Sequence, residues 1–396
     1  MENVVIVNGK RTPFGKFGGS LKSFSAVDLG AMAVKHVLDG MCDGADLDQM
    51  IFANVQTNAG ISPIRQTVAA SGLPITLDAL SVERACCSSM TAAGLAFEKI
   101  SSGRGRIILV GGQESLSNVS YLVPDLRWGK RHGDIVLQDP LIIRNPYLHA
   151  PMAQYAGEVA VEWGVGREMQ DEYAVMSHHR AAAAQEKGYF KDEIFDVEVK
   201  GKKGSFILDH DENVRPDTSM EKVSKMTPVL GSPTVTAANA SSNVDGASAL
   251  LIMAESEARA RGLKPLARIV AQKSFCGEPR NSPVTPALAA RQLMSSVGMT
   301  LDQFALLEIN EAFASMPLVS SVALCDKDFK KAEKLREIIN VNGGGISIGH
   351  PVGATGARLI MTMVYELRRR HEQYGLCCIC GAIGQGDAII LEAMYD

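Results

Sequence analysis

Short, unbroken β-branched runs alternate along this chain with longer amphipathic stretches, which restricts it to folds where buried strands are separated by helices. Val4–Val7 precedes the amphipathic segment Asp28–Asp39, and Ile107–Val110 follows the helical pattern Met90–Ile100. Strands that are apolar throughout must be covered on both faces, so the pattern reads as an α/β protein. With 396 residues, 46% of them hydrophobic, the chain has enough apolar material for two domains or one large duplicated one. A repeat emerges when units are compared rather than letters. SVERACCSSMTAAGLAFEKI (81–100) leads into the strand RIILVGGQES (106–115), and INVNGGGISIGHPVGATGARLIMTMV (339–364) leads into GLCCICGAIGQGDAIILE (375–392). Each unit is a loop with special residues, an Ala/Gly-rich helix, and a buried strand ending in glycines. Similar halves with reactive residues at equivalent loops would bring those residues together across a pseudo-twofold axis.

Between the halves, roughly 118–247, the texture changes. The charged stretch Lys200–Gly204, the acidic run Asp209–Glu212, several prolines and one amphipathic helix from Arg167 to about Lys187 read as a covering excursion from the scaffold. The strand signal returns at Ala249–Ala254, so the first half closes only there.

Charge gives no partner. A net charge of -4 supplies no global attraction for nucleic acid or an anionic membrane, and a small-molecule partner is expected. Cysteines 42, 86, 87, 276, 325, 377, 378 and 380 are clustered in a way that suits neither a disulfide ladder nor zinc knuckles. Reduced thiols in a cytoplasmic setting are expected, with no metal. The start, MENVVIVNGKRTPFG, lacks the apolar core of a signal peptide, and no segment has the roughly 18 uninterrupted apolar residues of a spanning helix.

Four places carry residues suited to chemistry. Cys86 precedes Cys87, Ser88 and Ser89 and a small-residue helix; at such a terminus serines can satisfy free N–H groups and the helix dipole lowers a thiol pKa. The competing reading is a pair of small buried hydrophobes. His350 lies in a stretch, 342–356, with six glycines in fifteen residues, so the backbone turns tightly and approaches something closely. A phosphate loop fits poorly there, because the spacing misses G-x-G-x-x-G before a helix. Cys380 ends the apolar run Leu376–Ile379 beside flexible glycines, and Asn310-Glu311 follows the apolar strand Ala305–Ile309. Strand ends are where α/β sheets place active sites, although taken alone Cys380 reads first as a buried strand cysteine, and Glu311 can equally cap a following helix.

Together these sites resemble the thiolase family. The resemblance is carried by Arg11-Thr12-Pro13-Phe14-Gly15, Cys86-x-Ser88-x-Met90, Gly111-Gly112-Gln113-Glu114-Ser115, Thr236-Ala237-Ala238-Asn239-Ala240-Ser241 with Asp245-Gly246, NEAFA at 310–314, GHPVGATG at 349–356, and Cys380 with GQGDA. It implies two similar βαβαβαββ halves stacked as αβαβα layers, with a loop domain inserted in the first. The implied division is 1–117 plus 248–268, an inserted domain at 118–247, and a second half at 269–396. The implied reaction is reversible Claisen condensation of acetyl-CoA with an acyl-CoA to give a 3-oxoacyl-CoA and CoA, without a cofactor. In it Cys86 is acylated, His350 takes the thiol proton, and Cys380 removes the acetyl α-proton. One carbonyl oxygen is held by His350 with a water on Asn310, and the other by the amides of Cys86 and Ala382. Met152, Arg215, Ala237, Ser241 and Phe313 occupy positions that line the CoA tunnel in relatives. An acetyl-CoA C-acetyltransferase is expected, with a degradative thiolase for longer or unusual chains as the alternative, and a homodimer, or a homotetramer whose dimers pair through residues near 120–135.

The chain departs from the family pattern at Glu83-Arg84-Ala85-Cys86-Cys87-Ser88-Ser89, where Asn-Lys-Val-Cys-x-Ser-Gly is usual, and at Pro151, where a histidine often precedes Met152. Ser89 is expected to add a side chain at the pocket, Glu83 a charge near the subunit contact. Cys378 competes with Cys380 for the base, and the GQGDA spacing favours Cys380. A ketoacyl synthase would carry His/His or His/Asn in place of Cys380, and a non-catalytic lipid-binding relative would have lost one of the four positions.

Overall fold

The computed structural model describes residues 2–58, 60–201 and 204–395. Lys202 and Lys203, within the charged stretch noted above, lie outside them. In chain order the main strands are β1 (Val4–Arg11), β2 (Gln49–Ala53), β3 (Asp78–Val82), β4 (Ile107–Ser115), β5 (Val244–Ala254), β6 (Ala267–Cys276), β7 (Leu306–Ile309), β8 (Tyr374–Gly381) and β9 (Gln385–Ala393). The returning strand therefore starts at Val244, earlier than the Ala249 signal suggested. Across the sheet the order is β7-β8-β9-β6-β1-β5-β4-β2-β3.

This order exposes the duplication. In the first half β3, β2 and β4 are mutually parallel, while β5 and β1 complete it antiparallel. In the second, β7 and β8 are parallel, β9 and β6 follow antiparallel, and a parallel bridge from Leu307 to Ile339 stands where β3 stands in the first. Both opening strands carry a register shift at the same place, between Ile6 and Asn8 in β1 and between Ile269 and Ala271 in β6. The halves meet where β1 and β6 pair antiparallel, Val5 with Arg268 and Ile6 with Ala267.

Every buried strand feeds two cores. Val5, Val7, Met50, Phe52 and Leu109 pack under α1 (Ala26–Leu38) and α2 (Pro63–Ser71) on one outer face. Leu307, Ile309, Leu376, Cys378 and Ile390 pack against helices 285–297 and 315–324 on the other. Between them Val4, Ile6, Ile108, Val110, Cys377, Ile379 and Ile389 enclose α3 (Ser88–Ser101) and its repeat partner α4 (Thr355–Arg370). The layers are thus αβαβα, and the alternation of strand residues between cores explains why the runs are apolar without a break.

The two central helices approach closely because Gly356 faces Met90. A Cβ on Gly356 would sit 2.4 Å from the Met90 backbone nitrogen. Ser89 Oγ accepts from Ala357 N at 2.9 Å. The Ser89 departure therefore joins helix to helix and adds nothing to the pocket wall. Outside the main sheet, 118–243 contributes two short ladders, Arg144–Asn145 with Ala150–Pro151 and Val197–Gly201 with Gly204–Leu208, and helices Met152–Glu162 and Arg167–Glu186. No helix of the described residues is long and apolar enough to cross a membrane.

Candidate active site

The turn holding Cys86 is strained and pinned. Ala85 has φ 50, a left-handed conformation that a residue with a Cβ adopts at a cost, and Glu83 Oε1 accepts from its amide at 2.8 Å. Arg84 reaches across the half boundary to Asp387 at 2.6 Å, Ser274 at 2.8 Å and Gln385 at 3.1 Å, tying the turn to β6 and β9. Helix α3 begins at Ser88 without a side-chain cap. Its serine does something other than expected: Ser88 Oγ donates to Ala85 O and accepts from Arg84 N, closing the turn on itself. Cys87 turns inward, with Sγ 3.8 Å from Ile379 O, leaving Cys86 to face the cleft.

His350 Nε2 lies 3.1 Å from Cys86 Sγ, and its Nδ1 lies 2.6 Å from Thr355 Oγ1. Thr355 Oγ1 in turn donates to Pro351 O, so it is free to accept from Nδ1–H, which leaves Nε2 as the acceptor facing the thiol. Burial, with a smaller push from the Arg358 charge, holds His350 down at about 3. Burial likewise pushes the Cys86 thiol up, against the opposing pull of its own amide. The helix-start expectation of a lowered thiol is thus overridden by desolvation: the resting pair is neutral thiol and neutral imidazole. Asn310 Nδ2 stands 3.5 Å from His350 Nε2, and its buried Oδ1 has no protein partner.

Cys378 and Cys380 share one face of β8, but Cys380 lies beyond the pairing with β7, which ends at Ile309 with Cys378, and packs in the cluster of Met152, Tyr155, Ala156, Ala312 and Met316. Cys378 is packed in the outer core among Leu307, Ile309 and Ile390. Burial raises the Cys380 thiol to about 12. After Cys380 the chain turns through Ala382, Ile383 (φ 64) and Gly384 (φ 73) into β9. Gly381 permits this hairpin to press on the nucleophile turn, since a Cβ there would be 3.1 Å from both Arg84 O and Cys87 Sγ. The Ala382 and Cys86 amides therefore belong to abutting turns.

A cleft of about 850 Å³ opens onto these groups. Cys86, His350, Met152, Arg215, Ala237, Ser241 and Phe313 all line it, while Asn310 and Cys380 are fully buried beside it. Its wall is stitched by Ser241 N to Ala312 O at 3.0 Å and His350 N to Ser242 O at 3.0 Å.

Glu311 is not a helix cap. Its carboxylate accepts from Tyr173 Oη, Ser177 Oγ, Asn340 Nδ2 and Ile346 N, fastening the glycine stretch to the strand end. Thr355, which orients His350, went unremarked in the sequence, although a hydroxyl five residues beyond a histidine in a glycine-rich loop is the available signal. Arg358, paired with Glu308 at 2.9 Å in the interior, was equally silent there.

Residues 4–256 match the family model described as thiolase, N-terminal domain, and 263–393 match thiolase, C-terminal domain. The chain belongs to the thiolase family. Among curated thiolases it is 38% identical over 396 residues to beta-ketothiolase BktB of Cupriavidus necator, covering 98% of each chain. It is 38% identical to an acetyl-CoA acetyltransferase of Escherichia coli over all of both chains. Among solved thiolases, human mitochondrial 3-ketoacyl-CoA thiolase superposes with a TM-score of 0.94 at 36% identity and 99% coverage of each chain. The ketoacyl synthase alternative is set aside by the two matched domains.

Proposed function

We propose that this thiolase catalyses the reversible condensation of acetyl-CoA with an acyl-CoA through an acyl-Cys86 intermediate, with acetoacetyl-CoA as the leading product. The observation that carries the assignment of roles is the 3.1 Å approach of His350 Nε2 to Cys86 Sγ at the floor of the cleft. As Sγ attacks the thioester carbonyl, its proton passes to Nε2, and the departing CoA thiolate takes the proton of the Cys380 thiol, leaving Cys380 as thiolate. That thiolate then removes a proton from the α-carbon of acetyl-CoA. The resulting enolate attacks the acyl carbon, expelling Cys86 Sγ as thiolate, which takes back the proton held on His350 Nε2. The acyl oxygen is assigned to the Cys86 and Ala382 amides, and the enolate oxygen to His350 with a water on Asn310, whose unpartnered Oδ1 supports that role. All bond making rests on thiols, imidazole and amides, so no cofactor is required.

CoA itself is assigned to the cleft wall of Met152, Arg215, Ala237, Ser241 and Phe313, supported by their shared lining of one cavity with Cys86. We assign the inserted loop domain to 118–247, flanked by 1–117 with 248–268 and by 269–396; Val244–Ala247 already run into β5. A homodimer or homotetramer is supported by the free sheet edge at β3 and by exposed Tyr121, Trp128, Ile135 and Val136 in the loop segment. A cytoplasmic setting is supported by eight cysteines, none of them in a disulfide. The alternative of longer acyl chains is supported by the relatives named beta-ketothiolase and 3-ketoacyl-CoA thiolase.

The test separates the two thiols. Cys380→Ser should still add an acetyl mass to the Cys86 peptide on incubation with acetyl-CoA, yet lose most condensation and most exchange of acetyl α-protons with deuterated water. Cys378→Ser should leave both reactions largely intact. Loss of condensation in the Cys378 variant alone would move the base by two residues; persistence in both would remove the Claisen step.

A further inference from the structure

Beside Cys380 lies a buried polar trio that the mechanism does not use. Tyr155, on the helix Met152–Glu162, packs in one cluster with Cys380, Met152, Ala156 and Ala312. Among the described residues its hydroxyl has no hydrogen-bond partner of good geometry, nor has Nδ2 of Asn145 or Oγ of Ser282. The three residues are 2%, 1% and 0% exposed. Ser282 and Asn145 lie near enough to the Tyr155 hydroxyl to affect its proton affinity, which burial raises to about 12, but neither forms a well-aligned hydrogen bond with it. Two neighbouring elements of the loop region and the distant Ser282 thus converge on one spot and leave these polar atoms without a well-aligned partner.

Unmatched buried polar atoms are costly, at about 1–3 kcal/mol each, and persist where something else completes them. The orientation of each group says what that is. Asn145 Oδ1 is already taken by the amides of Tyr147 at 2.9 Å and Leu148 at 3.2 Å, so only its NH₂ is free. Tyr155 and Ser282 add two hydroxyls, making a set rich in donors that calls for an oxygen acceptor. A carboxylate does not suit it. Among the described residues no cation pairs with the trio, and Arg280, two residues before Ser282, is held by Glu162 at 2.8 Å. An uncharged oxygen, a hydroxyl or a ketone, does suit it. The separation from the cleft is one layer of side chains, because Met152 and Ala312 belong both to the cleft wall and to the cluster around Tyr155.

We propose that Asn145, Tyr155 and Ser282 form a subsite of the acyl pocket that selects acyl chains bearing an uncharged oxygen, hydroxyl or keto, on the tail of the acyl group carried by Cys86. This deepens the thiolase reading and rests on it. Movement of flexible Met152 opens the subsite to the chain. An acyl tail ending in methyl leaves the three polar atoms unmatched, whereas an oxygen in the same place completes them.

The experiment uses the full chain and a series of 3-oxoacyl-CoA esters of graded length, each with the terminal methyl or with a hydroxyl in its place. Thiolysis of plain acetoacetyl-CoA is the control. At one length the wild type should favour the hydroxylated ester in kcat/KM by roughly tenfold, the worth of about one to two hydrogen bonds. In Tyr155→Phe and Ser282→Ala that preference ratio should fall toward unity. If acetoacetyl-CoA is cleaved but no hydroxylated ester is preferred at any length, the subsite is wrong while the thiolase reading stands, and the trio merely holds water. A preference that survives both substitutions overturns it equally. If acetoacetyl-CoA and every other ester are inert, the thiolase reading itself fails.

Discussion

At the residue scale, the proposed chemistry depends on a base that stays neutral. With His350 held at about 3, its Nε2 is unprotonated throughout the ordinary pH range, and the ordinary imidazole value near 6.5 is irrelevant to it. The acid limb of kcat/KM for acylation should therefore show no inflection between pH 5 and about 7, which a stopped-flow measurement of acyl-enzyme formation would check. The linkage to stability has the opposite face. Because the folded value lies below the unfolded one, the unfolded chain binds the extra proton, so this residue's share of stability is intact above about pH 6.5 and falls away as pH drops toward 3. His350→Asn should slow acylation and condensation together by roughly 10²–10⁴-fold, and should flatten that acid dependence of the unfolding midpoint. The four residues proposed for catalysis stand out in the sequence because each sits in a special local context: a paired-cysteine turn, a glycine stretch, two strand ends. Tyr155 and Ser282 do not, since they meet only in the fold and a lone hydroxyl carries no spacing signal, whereas the spacing of Thr355 from His350 was there to be read.

At the element scale, the site is assembled by the meeting of α3 and α4. The nucleophile turn leads into one and the His350 loop into the other, so their separation fixes the distance between sulfur and nitrogen. Gly356→Ala would place a methyl 2.4 Å from the Met90 backbone, and the helices must part. The expected cost is about 1–3 kcal/mol of stability, with a Tm lower by a few degrees and a kcat loss larger than that of a surface Gly→Ala at Gly166, where a Cβ meets open space. Calorimetry paired with thiolysis assays checks both. Sequence periodicity placed α3 to within two residues, as Met90–Ile100 against an observed Ser88–Ser101. It missed the first turn, where Ser88 and Ser89 spend their hydroxyls on the turn and on the neighbouring helix rather than on capping.

At the scale of the whole molecule, the sheet runs unbroken from β7 to β3, and β3 ends it with a half-exposed strand whose outer edge is unpaired among the described residues. Such an edge invites a second copy. Leu80→Lys together with Ser81→Pro should move the sedimenting mass from dimer or larger toward monomer; an unchanged mass would place the subunit contact elsewhere. The repeat was only faintly legible in letters, yet it is plain in pairing order and in the shared irregularity of β1 and β6, because backbone geometry is kept where side chains diverge. That duplication has a consequence for descent. Two identical molecules facing each other across a twofold axis must present the same residue twice, nucleophile opposite nucleophile or base opposite base. Cys86 stands on one repeat, with His350, Cys380 and Asn310 on the other. Division of labour of this kind needs copies that can mutate independently of one another, as two repeats joined in one chain can.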